Sequence, residues 1–281
     1  MEGTQAFLRG QPTEIRKKKA GNWLAWFNLV GFLIMVTINY LANALPLNHL
    51  TTGELSDKYP NLFVPAGFTF SIWGVIYILL GVFVFFSLKQ AITGQEVFPA
   101  FKKVGLLFFL TCLANAGWIF AWHFQQLAWS LTIMVLLLVL LIIIYQKLDR
   151  RPYEEKRLDK FPAKLPFSIY LAWISVATVA NTTAVLVRYG WNGFGLSPQF
   201  WTVGVLALIL ILTLIIVLKK RDLLYGLTVI WALFGILYKR TQDTAASDRV
   251  VEIAALAGLV IILLALVLRA ILHPRAKSIP I

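Results

Sequence analysis

One cysteine, three histidines and thirteen acidic residues among 281 leave this chain poorly equipped for most catalytic and metal chemistry. With Cys112 alone, disulfides within the chain and cysteine-based metal clusters are excluded. His49, His123 and His273 are scattered and read as solvent-side; His123, at the end of an apolar run, is the one placed to reach a haem iron. The acidic residues all fall in loops, tails or the ends of apolar runs, from Glu2 and Glu14 through Asp149 and Asp222 to Asp248 and Glu252. Without a carboxylate in mid-membrane there is no obvious proton or sodium relay, which disfavours ion-coupled transport. HExxH, GxSxG, P-loop and paired-carboxylate motifs are all missing, so no hydrolase or NTPase reading stands and no catalytic residue is assigned.

What is present in abundance is apolar. The composition is 59% hydrophobic and 14% charged, with a mean hydropathy of +0.76, which marks a multi-pass membrane protein. A span needs about 20 apolar residues, and eight segments qualify: 21–44, 64–87, 104–123, 126–146, 165–188, 198–218, 222–238 and 248–271. Summed over alternate connections, Lys and Arg number twenty-one on one side against five on the other. The positive-inside rule then puts both termini in the cytoplasm, with the plasma (inner) membrane as the expected location. This asymmetry, together with anionic lipid at the inner surface, accounts for the net charge of +13. No soluble basic module exists to bind nucleic acid. Lys17–Lys19 followed by a run ending in Ala42-Asn43-Ala44 has the outline of a signal peptide, but an apolar run of about 20 residues exceeds the usual 7–15 and favours a retained first helix.

The expected fold is therefore all-α, a polytopic membrane helix bundle. Spans one to five are rich in Trp and Asn, whereas spans six to eight are plain Leu, Ile, Val and Ala, so the chain divides into a five-helix unit (1–190) and a three-helix extension (191–281). No internal repeat of the inverted-repeat transporter kind is visible. Segments 88–103 and 147–164 read as solvated cytoplasmic loops. The longest outer loop, 45–63, holds Pro46, Gly53 and Pro60 and is long enough to cover whatever lies beneath it.

Span five carries Tyr170, Trp173, Ala177, Asn181 and Ala184 within a sector of about 80°. An Asn at that depth is costly unless it is hydrogen-bonded, so this face looks into protein or ligand. Span two presents Pro65, Ala66, Phe70, Trp73 and Tyr77 in the same manner, and span three Phe108, Thr111, Asn115, Trp118 and Trp122. Counting 1.5 Å per residue, Trp73, Asn115 and Asn181 lie at one level, roughly 10–14 Å down. Aromatic rings and amides at one depth suit a flat apolar ligand with polar edges. The alternatives are that the amides merely tie helices together, Asn115 to Asn181 included, and that Trp residues near span ends such as Trp129 are interfacial anchors.

Tyr170-Leu171-Ala172-Trp173 followed by Thr178 and Asn181 resembles the fifth-helix signature of the TspO/MBR family, the translocator or tryptophan-rich sensory proteins. Pro65 through Trp73 to Tyr77 is similar to its second helix, Asn115-Ala116-Gly117-Trp118 to its third, and Trp129 to the Trp opening its fourth. The sequence departs from the pattern at Gly67 (usually Trp), Ser71 (Pro), Ile133 (often an acid) and Ile169 (Pro). The family's sterol motif is also altered, with Thr182-Thr183 in place of aromatics and Arg188 displaced. The resemblance implies a five-helix bundle binding porphyrins, haem-related tetrapyrroles or other hydrophobic ligands in a pocket closed by the first loop. In that setting Trp73, Tyr77, Trp118 and Trp173 line the pocket, Asn115 and Asn181 donate to ligand edges, and Phe70, Ala177 and Trp129 complete the candidate set. No cofactor is required; a porphyrin or haem enters as ligand, membrane lipid is the surrounding partner, and a homodimer is left open. Sensor and carrier are the expected roles, with a transporter of a hydrophobic solute and a porphyrin-degrading enzyme as rivals.

Overall fold

The computed structural model describes residues 3–45, 47–94, 100–149, 161–242 and 249–272, with side chains described from residue 23 onward except at 161 and 162. Most of the charged 147–164 segment, Pro46, Pro99 and His273 lie outside the described residues. The chain is a polytopic all-α bundle. Ten α-helices run in order: α1 (Gly3–Ala44), α2 (Thr52–Asp57), α3 (Ile72–Thr93), α4 (Ala100–Val104), α5 (Leu106–His123), α6 (Leu127–Asp149), α7 (Phe161–Arg188), α8 (Pro198–Lys220), α9 (Leu223–Thr241) and α10 (Arg249–Leu272). Eight helical stretches among the described residues are long and apolar enough to cross a membrane, α3 being extended by a 3₁₀ turn at Gly67–Ser71. The short α2 and α4 are the exceptions. Gly105, at φ +50°, separates α5, the expected third span, from α4, whose buried Ala100 and Phe101 lie in the segment 88–103 read from sequence as a solvated loop.

Helices without a water-driven reason to associate hold together by close packing and internal polar pairs. Helix α1 lies on α3 and α5, turning Ala25, Asn28, Met35, Asn39 and Ala42 inward at helical spacing. Its Asn28 amide donates to the Gly105 carbonyl, which the kink leaves exposed for capture (3.3 Å). Helix α6 packs between α5 and α7, and α7 also lies on α3. The outward faces carry side chains such as Ile78, Leu136 and Leu208, suited to lipid.

Of the last three helices, α9 packs on α7 and fastens them to the earlier spans. At one end of α9 stands Asp222, its N-cap. One carboxyl oxygen accepts from the Tyr145 hydroxyl of α6 (2.8 Å); the other accepts from the Ser168 hydroxyl of α7 (2.6 Å) and from the Tyr225 backbone N–H (3.2 Å). Sequence position alone suggests a solvated span-end residue, yet Asp222 is only 5% exposed. In the same first turn, the Tyr225 hydroxyl donates to the Ser175 hydroxyl (3.2 Å). From its middle onward, α9 meets the 3₁₀ turn before α3, where Trp231 donates to the Thr69 carbonyl (2.9 Å) and Ala66 N–H to the Gly235 carbonyl (3.0 Å). Helices α8 and α10 then pack against each other and α9.

Removing a donor takes one hydrogen bond away from the buried Asp222 carboxyl. Tyr145→Phe and Ser168→Ala are each expected to lower unfolding free energy by about 2 kcal/mol, measured by reversible denaturation in detergent. An unchanged midpoint in both variants would show that Asp222 does not fasten α9.

Candidate ligand cavity

An aromatic column runs through the centre of α3, α5 and α7. The Trp73 ring stacks on Tyr77 (5.6 Å between centroids), lies 5.9 Å from Trp118, and meets Tyr170 and Trp173 edge-on at 5.8 and 6.2 Å. Trp118 stacks in turn on Trp122 (6.1 Å), and Phe70 meets Trp173 edge-on (5.9 Å). The spacing of four along α3 and α5 stacks these rings on one helix face.

Between this column and α7 lies a cavity. Its walls are Trp73, Trp118, Trp122 and Trp173, with Pro65 and Phe70 on one flank, Val176, Ala177, Ala180 and Asn181 of α7 on the other, and Ser56 of α2 above. It encloses about 460 Å³ counted with its open side, of which about 30 Å³ admits the centre of a water molecule. No charged side chain is among the lining residues. Three buried polar atoms of this wall have no partner within the chain: the indole N–H of Trp118, the indole N–H of Trp173 and the Asn181 side-chain oxygen. Buried polar groups are nearly always paired, and these three share one wall.

Of the nine residues singled out from sequence, Phe70, Trp73, Trp118, Trp173, Ala177 and Asn181 meet at this cavity. The other three stand elsewhere. Tyr77 lies beyond Trp73, supporting its ring. Asn115 does not bond Asn181: its oxygen accepts from the Asn39 amide (2.7 Å) and its own amide donates to the Tyr170 hydroxyl (2.9 Å), so it clamps α1, α5 and α7 together. Trp129 is 65% exposed on the outside of α6, while Ser130, one residue and about 100° further round, is buried and accepts from the Asn181 amide (2.7 Å). Asn39 and Ser130 were not singled out from sequence. Asn39 carried the same signal as Asn115, an amide within an apolar run; Ser130 carried none that separates it from other small residues.

The segment after α1 closes the cavity as a lid, and His123 is its clasp. Contrary to the solvent-side reading, His123 is buried. Nδ1 lies 3.0 Å from the Leu47 carbonyl, which only accepts, so this nitrogen carries the proton. Nε2, 3.1 Å from the Thr52 hydroxyl, is then the acceptor. The Asn48 amide donates to the His123 carbonyl (3.0 Å) and the Trp122 indole to the Thr52 carbonyl (3.3 Å). A capping box starts α2, Thr51 and Glu54 bonding each other's backbone. The Thr51 N–H and then its hydroxyl hold the exposed Glu54 carboxyl below its ordinary range. Because the folded value is depressed, this contribution to the lid is present at neutral pH and is lost as acid protonates Glu54. On the other side, burial raises the Tyr59 hydroxyl above its usual range, opposed by the charge of Arg188.

The model of the TSPO-like protein family matches residues 25–268. The chain belongs to that family. The match runs through all eight membrane-spanning stretches, the extension included. No curated protein and no solved structure matches the chain.

Asn115→Ala removes both bonds of the α1–α5–α7 clamp and leaves the buried Tyr170 hydroxyl unpaired. It is expected to cost about 2 kcal/mol of stability, whereas Trp129→Ala, on the exposed side of α6, leaves the denaturation midpoint close to wild type.

Proposed function

We propose that this integral membrane member of the TSPO-like family binds a flat hydrophobic ligand, a tetrapyrrole or lipid-like molecule, in the cavity between the aromatic column and α7, and acts as its sensor or carrier. The observation that carries this reading is the unpaired trio of Trp118, Trp173 and Asn181 in the wall of an otherwise apolar cavity. Two donors and one acceptor suit a ligand whose edge offers both kinds of group, while the indole faces supply stacking area. Asn181 is oriented for this by giving its amide to Ser130, which leaves its oxygen for the ligand.

Both ring nitrogens of His123 are engaged by the lid, and His123 is not among the cavity-lining residues. A whole tetrapyrrole is larger than the cavity between the closed walls, so uptake requires the α2 segment to swing outward, releasing Thr52 from His123. Arg188, whose charge reaches Tyr59 on the lid, is placed to meet acidic substituents at the rim. Under this reading the ligand enters from the lid side, which the charge distribution puts outside the cell, with both termini in the cytoplasm.

Titration of the purified protein with protoporphyrin IX tests the reading, followed by Trp quenching and the Soret band. Saturable binding is expected in the wild type. Trp173→Ala and Asn181→Ala should each weaken it by about tenfold, the equivalent of one lost stacking or hydrogen-bonding contact. Undiminished affinity in both variants would remove the cavity as the site.

A further inference from the structure

We infer that α9, part of the three-helix extension, sets the width of the ligand cavity, with Trp231 and Gly235 as positioning residues. The inference rests on the cavity being the ligand site. The segment 65–71 stands between two neighbours. One side of it, Pro65 and Phe70, forms a cavity wall. The other side is fixed to α9 by backbone and ring contacts: Trp231 N–H to the Thr69 carbonyl, Ala66 N–H to the Gly235 carbonyl, and the Phe68 ring against Trp231 (5.6 Å) and Tyr238 (5.3 Å). The Ala66 N–H and the Thr69 carbonyl, at the 3₁₀ start of this span, find their partners on α9 in this way. Its approach is as close as it can be: a Cβ on Gly235 would lie 2.0 Å from the Thr69 hydroxyl oxygen. Since Asp222 anchors the opposite end of α9 on Tyr145 and Ser168, the helix cannot simply slide away. The Lys239–Asp57 ion pair extends the same contact to the lid helix.

Two substitutions should therefore detach the wall by different means. Gly235→Ala pushes the 65–71 segment off α9 and into the cavity; Trp231→Phe keeps most of the bulk but removes the donor that holds the Thr69 carbonyl to α9, releasing the same segment toward the cavity.

Modification of an Ala177→Cys reporter by a small thiol reagent reads the width without any ligand, and native Cys112, buried in the core, reports general loosening. Reporter labelling is expected to fall at least about fivefold with Gly235→Ala and to fall by a smaller factor with Trp231→Phe. Cys112 should stay unreactive in both. Gly204→Ala on α8, where an added Cβ meets nothing within 4 Å, should change nothing. Unchanged labelling, a rise in either variant, or Cys112 exposed in step would each overturn the inference. Reduced labelling in both variants of a protein that fails to bind protoporphyrin IX would uphold α9 as the wall while removing the ligand assigned to it.

Discussion

A polar group inside a bilayer must find its partner within the protein, and most of this bundle follows from that constraint. The Asn39–Asn115–Tyr170 chain joins three helices at the centre of the five-helix unit. Ser130 and Asn181 join α6 to α7. Asp222, a buried carboxyl without a cationic partner among its hydrogen-bond donors, draws Tyr145, Ser168 and the start of α9 together. Each pair fixes a helix rotation that apolar packing leaves loosely set, since lipid tails and leucines attract each other about equally. The polar atoms of Trp118, Trp173 and Asn181 left without protein partners belong to a single wall.

Much of this was legible in the residues. Helical periodicity and length placed all eight spans within a few positions, because the bilayer imposes one length and one backbone hydrogen-bonding solution. The stripes on spans two, three and five likewise led to six of the cavity residues, since aromatic side chains four apart must share a face. What escaped were facts about pairs. Asn115 and Asn181 look alike in sequence, yet Asn115 is consumed by Asn39 and Tyr170 while Asn181 keeps an oxygen free; only the facing helices decide that. His123 read as solvated because it ends an apolar run, and it is buried because the lid folds back over it. Trp129 and Ser130 show the sensitivity of such readings, one step along the helix separating the outside from the interior.

The extension changes how the family's architecture is understood in this chain. Gly67 and Ser71 stand where the resemblance expects Trp and Pro, and the turn they bracket docks on Trp231, Phe234 and Tyr238 of α9. The lid and α9 also meet each other, through Asp57 and Lys239.

The central claim is that the partnerless indoles of the cavity are the ligand's contacts. Indole ¹⁵N–¹H NMR of Trp-labelled protein in detergent tests this most directly, with signals assigned by single Trp→Phe replacements. On addition of protoporphyrin IX the Trp118 and Trp173 signals should shift, while Trp201 and Trp231, already bonded to the Gly193 and Thr69 carbonyls, should stay in place. Shifts confined to Trp201 or Trp231, or no shift at Trp118 and Trp173 under saturating ligand, would contradict the account.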